Sequence, residues 1–172
     1  MNWTAALLPE PPLSGSLPEQ HFDCGSPGLS WLWVLFTDPT GEGRWAGCFR
    51  REQWGRDAIH LVPAVNDALI VAGGQGYWVS LVEKAVRFRA SPIVVAATVP
   101  NRAMVVAADY TSVSLLLPEG VAWRSRRLSL DGISFSRVTF GTVTGEAEAP
   151  SGAVAFEIDL ESRVASGGLQ WD

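Results

Sequence analysis

The sequence predicts an all-β protein built on a repeated unit, and three observations carry that prediction. Apolar runs of strand length end in turn chemistry along most of the chain. No stretch holds a 3.6-residue apolar stripe over three turns; residues 57–68 come nearest, and Pro63 interrupts them. The chain also repeats itself: residues 61–90 lie on 96–125 without a gap, an offset of 35.

The strands follow in order. Trp31 to Thr37 is an apolar run closed by Asp38-Pro39-Thr40-Gly41. Ala68 to Ala72 stops at Gly73-Gly74-Gln75-Gly76. A strand follows those glycines where a phosphate loop would need a helix, so they read as a tight β-turn. Met104 to Ala107 stops at Ala108-Asp109, and Val113 to Leu117 at Pro118-Glu119-Gly120. Val154 to Leu160 alternates with period two, as a half-buried strand does.

The repeat aligns Asn66 with Asn101, Ala68 with Ala103 and Val71-Ala72 with Val106-Ala107. It also aligns Leu81 with Leu116, Val86 with Val121 and Arg89 with Arg124. These are seven identities in thirty positions, where about two arise by chance. A looser copy follows, with Val138–Thr144 as a strand, 145–152 as a loop and Ala153–Leu160 as a strand. A weaker copy precedes, where Leu35-Phe36-Thr37-Asp38 sits one period before Ile70-Val71-Ala72-Gly73. Four units from Trp31 to about Gly168 predict a propeller-like set of antiparallel sheets, with a two-sheet β-sandwich as the alternative if the ring fails to close.

Residues 1–30 differ from the rest. Five prolines and three glycines exclude long regular elements there, yet Trp3, Leu7, Leu8, Leu13, Leu17 and Phe22 are apolar. This reads as an arm laid across the domain or a partner, leaving residues 31–172 as a single β-repeat domain.

The segments Ala107-Ala108-Asp109-Tyr110, Val113-Ser114-Leu115-Leu116 and 119–125 resemble the repeat of pyrroloquinoline-quinone-like propellers. Residues 123–133 and 143–147 are similar to a group of small uncharacterised bacterial proteins. The resemblance implies a propeller-like fold. The chain is far shorter than quinoprotein dehydrogenases and lacks a vicinal cysteine pair, so no cofactor and no catalytic residue is carried over.

Composition bounds the function. The 172 residues are 47% hydrophobic, which suits one domain with a real core. Thirteen Lys and Arg against eighteen Asp and Glu give a net charge of −5 and a pI near 5.0. That balance disfavours a duplex nucleic-acid binder. No apolar run approaches the roughly 20 residues of a membrane helix. No basic region precedes an apolar stretch at the N-terminus, so a cytoplasmic protein without a secretory signal is expected. Cys24 and Cys48 read as reduced thiols. Together with His21 they lack a fourth metal ligand, so no metal is expected.

Two candidate binding surfaces emerge. Arg87, Arg89, Arg124, Arg126 and Arg127, with Trp123 beside them, form a basic cluster suited to a carboxylate or phosphate. Arg87 and Arg89, two apart, are expected on one strand face. Glu157 and Asp159 share the solvent face of the last long strand, near Glu146, Glu148 and Glu161. His60 beside Asp57 makes no triad, and no nucleophile elbow is present.

The expected function is therefore non-catalytic: a protein-interaction module, of a bacterial immunity or inhibitor type that binds a basic partner. A small-ligand or carbohydrate-binding domain using exposed Trp and Arg is the alternative, and a hydrolase using Glu157, Asp159 or His60 is third. The expected partner is a protein rather than nucleic acid or membrane, and the chain is expected to be a monomer or homodimer.

Overall fold

The structure is a computed structural model that describes residues 2–23 and 30–169. The described strands form four four-stranded sheets. Sheet II runs β5 (Ala58–Val62), β6 (Asp67–Ala72), β7 (Gln75–Ser80), β8 (Ala85–Ala90). Sheet III runs β9 (Val95–Thr98), β10 (Val105–Ala108), β11 (Val113–Leu117), β12 (Gly120–Arg124). Sheet IV runs β13 (Ile133–Val138), β14 (Thr142–Ala149), β15 (Gly152–Asp159), β16 (Val164–Gly167). Each is an antiparallel meander. The first strands β5, β9 and β13 neighbour one another, and the last strands β8 and β12 meet at the outside. The only described helix is one 3-10 turn, Pro63–Val65, in the segment where proline breaks the apolar stripe.

The 35-residue offset holds in three dimensions at the Asn turns, in β6 against β10 and in β8 against β12. β11, however, starts 38 residues after β7, because the β10–β11 turn has four residues where the β6–β7 turn has two. Asn66 and Asn101 both adopt the left-handed conformation, at φ 55° and 58°. Asn tolerates that region where most residues do not. Val71 and Val106 each face the following sheet, while Ile70, Ala72 and Leu81, like Val105, Ala107 and Leu116, face the preceding one. Gly73 and Gly74, at φ 59° and 94°, form the two-residue hairpin between Ala72 and Gln75. A Cβ on Gly73 would run into the carbonyl oxygen of Glu52, so the turn also allows the 51–57 connection to close over it.

Sheet I is built differently. Its order is β1 (Thr4–Leu8), β3 (Trp31–Thr37), β4 (Arg44–Arg50), β2 (Glu19–Phe22), with β2 parallel to β4. The residues read as an arm therefore supply its innermost and outermost strands. The end of β4 leads to 51–57, which bonds the Gly73–Gly74 hairpin through Glu52 N–H to Ala72 C=O at 3.1 Å. The β3–β4 hairpin consequently lies at the opposite end from the β6–β7 hairpin, and β3 runs opposite to β6. The segment read as a weaker first copy is thus not a repeat of the same topology.

The cores lie between sheets. Leu32, Val34, Phe36, Trp45 and Phe49 of sheet I pack on Ile70, Tyr77 and Val79 of sheet II. Leu69, Val71 and Trp78 of sheet II pack on Val105, Ala107 and Leu116 of sheet III. Val106, Leu115 and Leu128 pack on Val143, Phe156 and Ile158 of sheet IV. Burying each large side chain contributes about 1.5–3 kcal/mol. Among the described residues no core cluster joins sheet IV back to sheet I. Among the described residues the four sheets therefore follow one another as an arc, I on II, II on III and III on IV, and not as a two-sheet sandwich.

Sheet IV corrects the third-copy reading. Residues 139–141, read as the middle of a strand, form the β13–β14 turn, and 145–149, read as loop, belong to β14. The Thr139 hydroxyl accepts the Thr142 N–H at 2.9 Å and so closes the turn. Gly145 lies within a strand because a Cβ there would run into the Ser134 carbonyl oxygen and sit 2.7 Å from Cζ of Phe156.

Candidate functional site

The outward face of sheet IV is where the arc stops. Val143, Gly145, Ala147, Phe156 and Ile158 point inward, so their strand neighbours must point out. Glu146 and Glu148 on β14 and Glu157 and Asp159 on β15 occupy that outward face and are exposed. Register places Glu157 opposite Thr144, Asp159 opposite Thr142 and Glu146 opposite Ala155. The face is built of carboxylates, threonine, serine and alanine, with Arg137 opposite Thr144 and with Arg102 close enough to act on Asp159. Such a face is polar and negative, with open hollows beside Glu146 and Glu157.

Asp159 has a local task as well. Its Oδ1 accepts the N–H groups of Glu161 and Ser162 and the Ser162 hydroxyl, at 3.0, 2.6 and 2.9 Å. These bonds, those of Ser162 foremost, hold its carboxyl below the ordinary value. Asp159 therefore stays ionised into mild acid.

The arginines do not gather into one patch. Trp78 pairs with Phe88 and Val79 with Val86, leaving Arg87 as an extra residue in a β-bulge. Arg87 and Arg89 consequently do not share a face. Arg87 reaches the buried Asp67 at 3.1 Å, where the Trp78 indole N–H also donates at 2.8 Å. Arg89 turns toward sheet I, over the Tyr77 ring, and grips Asp23. Arg124 bonds Asp109. Arg126 donates to the carbonyls of Gly167 at 2.6 Å and Leu169 at 2.5 Å, clamping the last described residues against the 125–132 connection. Arg127 donates to the Ser129 carbonyl at 2.9 Å. Trp123 packs into the core between sheets III and IV.

The other tryptophans mostly serve cores. Trp45 and Trp78 are fully buried, Trp3 packs between sheets I and II, and Trp31 and Trp33 are half-buried on the outward face of sheet I. Trp54 is 55% exposed and receives the Tyr110 hydroxyl on its carbonyl oxygen at 2.8 Å. Trp171 and Cys24 lie outside the described residues. Cys48 is buried in β4, in register with His21. His60 is half-buried on β5, and burial lowers its pKa below the ordinary imidazole value. Among the described residues no group of three His, Cys, Asp or Glu side chains is arranged to hold a metal ion. No described helix is long and apolar enough to cross a membrane.

No protein-family model and no curated protein sequence matches the chain. The solved structures to which the chain is similar in fold include the following two. One is the Pan2 WD40 domain of Neurospora crassa, at TM-score 0.51 and 11% identity, covering 82% of this chain and 48% of that one. The other is hydrazine synthase of Kuenenia stuttgartiensis, at TM-score 0.49 and 13% identity, covering 94% and 52%. The chain spans about half the length of the structures it matches. The Pan2 likeness establishes a propeller-like fold, in agreement with the arc of four sheets.

Proposed function

We propose that this protein is a non-catalytic protein-interaction module whose outward sheet IV face receives a basic partner. One observation carries the reading: Glu146, Glu148, Glu157 and Asp159 stand exposed on an outward face against which no described sheet packs. Charged sheet faces of this kind favour encounter with opposite charge and disfavour wrong partners. Propeller-like folds host many functions, so the site and not the fold supports the choice. The finer reading is an immunity or inhibitor-type protein of bacterial kind that covers the basic surface of a toxin.

The test is a charge reversal. Glu146→Lys combined with Glu157→Lys replaces exposed residues and should change stability by no more than about 0.5 kcal/mol. Capture of a basic partner by the native protein should weaken about tenfold or more in the variant, and should weaken with salt. Equal capture by both proteins, at all salt concentrations, would contradict the proposal.

A further inference from the structure

The two inner junctions of the arc treat equivalent arginines differently. At the junction of sheets I and II, Arg89 projects from β8 toward the preceding sheet. There it meets Asp23, the residue directly after β2, with its Nε 2.8 Å from Oδ2 and its Nη2 2.8 Å from Oδ1. This is the two-pronged pairing that a guanidinium makes with a carboxylate. Arg124 stands one period later on β12 and likewise faces the preceding sheet, since it is paired with Ser114 next to the inward Leu116. The residue directly after β8, in the place of Asp23, is Ser91. No carboxylate comes from sheet II.

Arg124 instead bonds the carboxylate of Asp109 within its own sheet, through one terminal nitrogen. The other Asp109 oxygen is taken by the N–H groups of Thr111 and Ser112, at 2.7 and 2.8 Å. Asp109 thus serves the turn and occupies one of the five donors on Arg124. The Arg124 side chain is 58% exposed.

Beside it a cleft of 260 Å³ opens between sheets II and III. Its walls include the apolar Ile93, Leu116 and Val121, Arg89 and Asp109 line it beside Arg124, and Ser91 and Ser114 add hydroxyls with no hydrogen-bond partner among the described residues. The equivalent space between sheets I and II is filled by the stacked rings of Phe22 and Phe49 and by Tyr77.

We infer that this cleft binds a small organic carboxylate with a short branched apolar tail. Its carboxylate lies on Arg124 in the role that Asp23 plays for Arg89, and its tail lies on Ile93, Leu116 and Val121. At about 30 Å³ for each water, the cleft has room for about nine waters. That suits a ligand of similar size: a free short-chain acid or the terminal residue of a peptide.

The test is titration of the full chain with 3-methylbutanoate, its amide, and N-acetyl-leucine, followed by calorimetry or by shifts of the Ser114 and Val121 amides. The acid should bind with a Kd on the order of millimolar, as expected for so few atoms. The amide, and the acid on Arg124→Gln, should bind about tenfold or more weaker, because each lacks a charged partner. Arg137→Gln, on the outward face of sheet IV, should leave binding unchanged. Tighter binding of N-acetyl-leucine than of the free acid identifies a peptide terminus as the source; the reverse order identifies a free acid. Binding of the amide as tight as the acid, no effect of Arg124→Gln, or no binding up to about 20 mM would overturn the inference.

Discussion

At Asp67 the side chain is buried, yet it keeps one oxygen on the Trp78 indole and the Arg87 guanidinium while Oδ1 finds no hydrogen-bond donor among the described residues. Burial raises its pKa above the ordinary value, against the opposing pull of Trp78 and Arg87. The folded state therefore holds this proton more tightly than the unfolded chain, and stability falls as pH rises from about 4 through the folded value. Arg87→Met removes the charge that offsets burial. It should destabilise the protein by about 1–3 kcal/mol at neutral pH. The deficit should shrink as pH falls toward 4, because a growing share of the carboxyl takes up its proton and needs no cation. Urea unfolding at pH 4 and pH 7 measures both. Part of this was legible in the sequence: Asn66, Asn101, Arg89 and Arg124 fall into place through the repeat. The bulge was not, because counting by twos assumes an unbroken ladder. One extra residue at Arg87 sends it and Arg89 to opposite faces.

On the scale of elements, sheet IV shows what periodicity can and cannot see. The alternation of Val154 to Leu160 correctly marks β15. Val138 to Thr144 is rich in β-branched residues and reads as one strand, but the Thr139 hydroxyl bonds make its centre a turn. Gly145 reads as loop, yet it is a strand residue whose missing Cβ makes room for the Ser134 carbonyl and for Phe156. Gly145→Val should therefore push against the Ser134 carbonyl of β13 as well as the Phe156 ring and cost about 1–3 kcal/mol or more, read as a lowered urea midpoint with an unchanged slope. Gly141→Ala should be mild by comparison, since nothing lies within 4 Å of its Cβ position. In sheet I, Trp31 to Thr37 was legible as a strand. The pairing of β2 with β4 was not, because short strands among prolines carry little alternation.

On the scale of the whole molecule, the repeat predicts how many sheets form but not whether they close. Closure depends on the angle between neighbouring sheets and on what the last sheet presents outward. Here sheet IV presents carboxylates and hydroxyls, a surface compatible with water and with a charged partner, not with another apolar sheet. The acidic balance of the chain pointed to a basic partner, and Glu157 and Asp159 were legible as its solvent face. Glu146 and Glu148 join them only once β14 is seen as a strand.

The most direct test of this account is thiol labelling at Ala155→Cys, an exposed position in the middle of the acidic face, with labelled sites located by mass spectrometry. The account predicts that the free protein labels at the rate of a small exposed thiol, and that a captured basic partner slows the reaction. Slow labelling of the free protein, as in a closed ring, or a rate unchanged by the bound partner would contradict it.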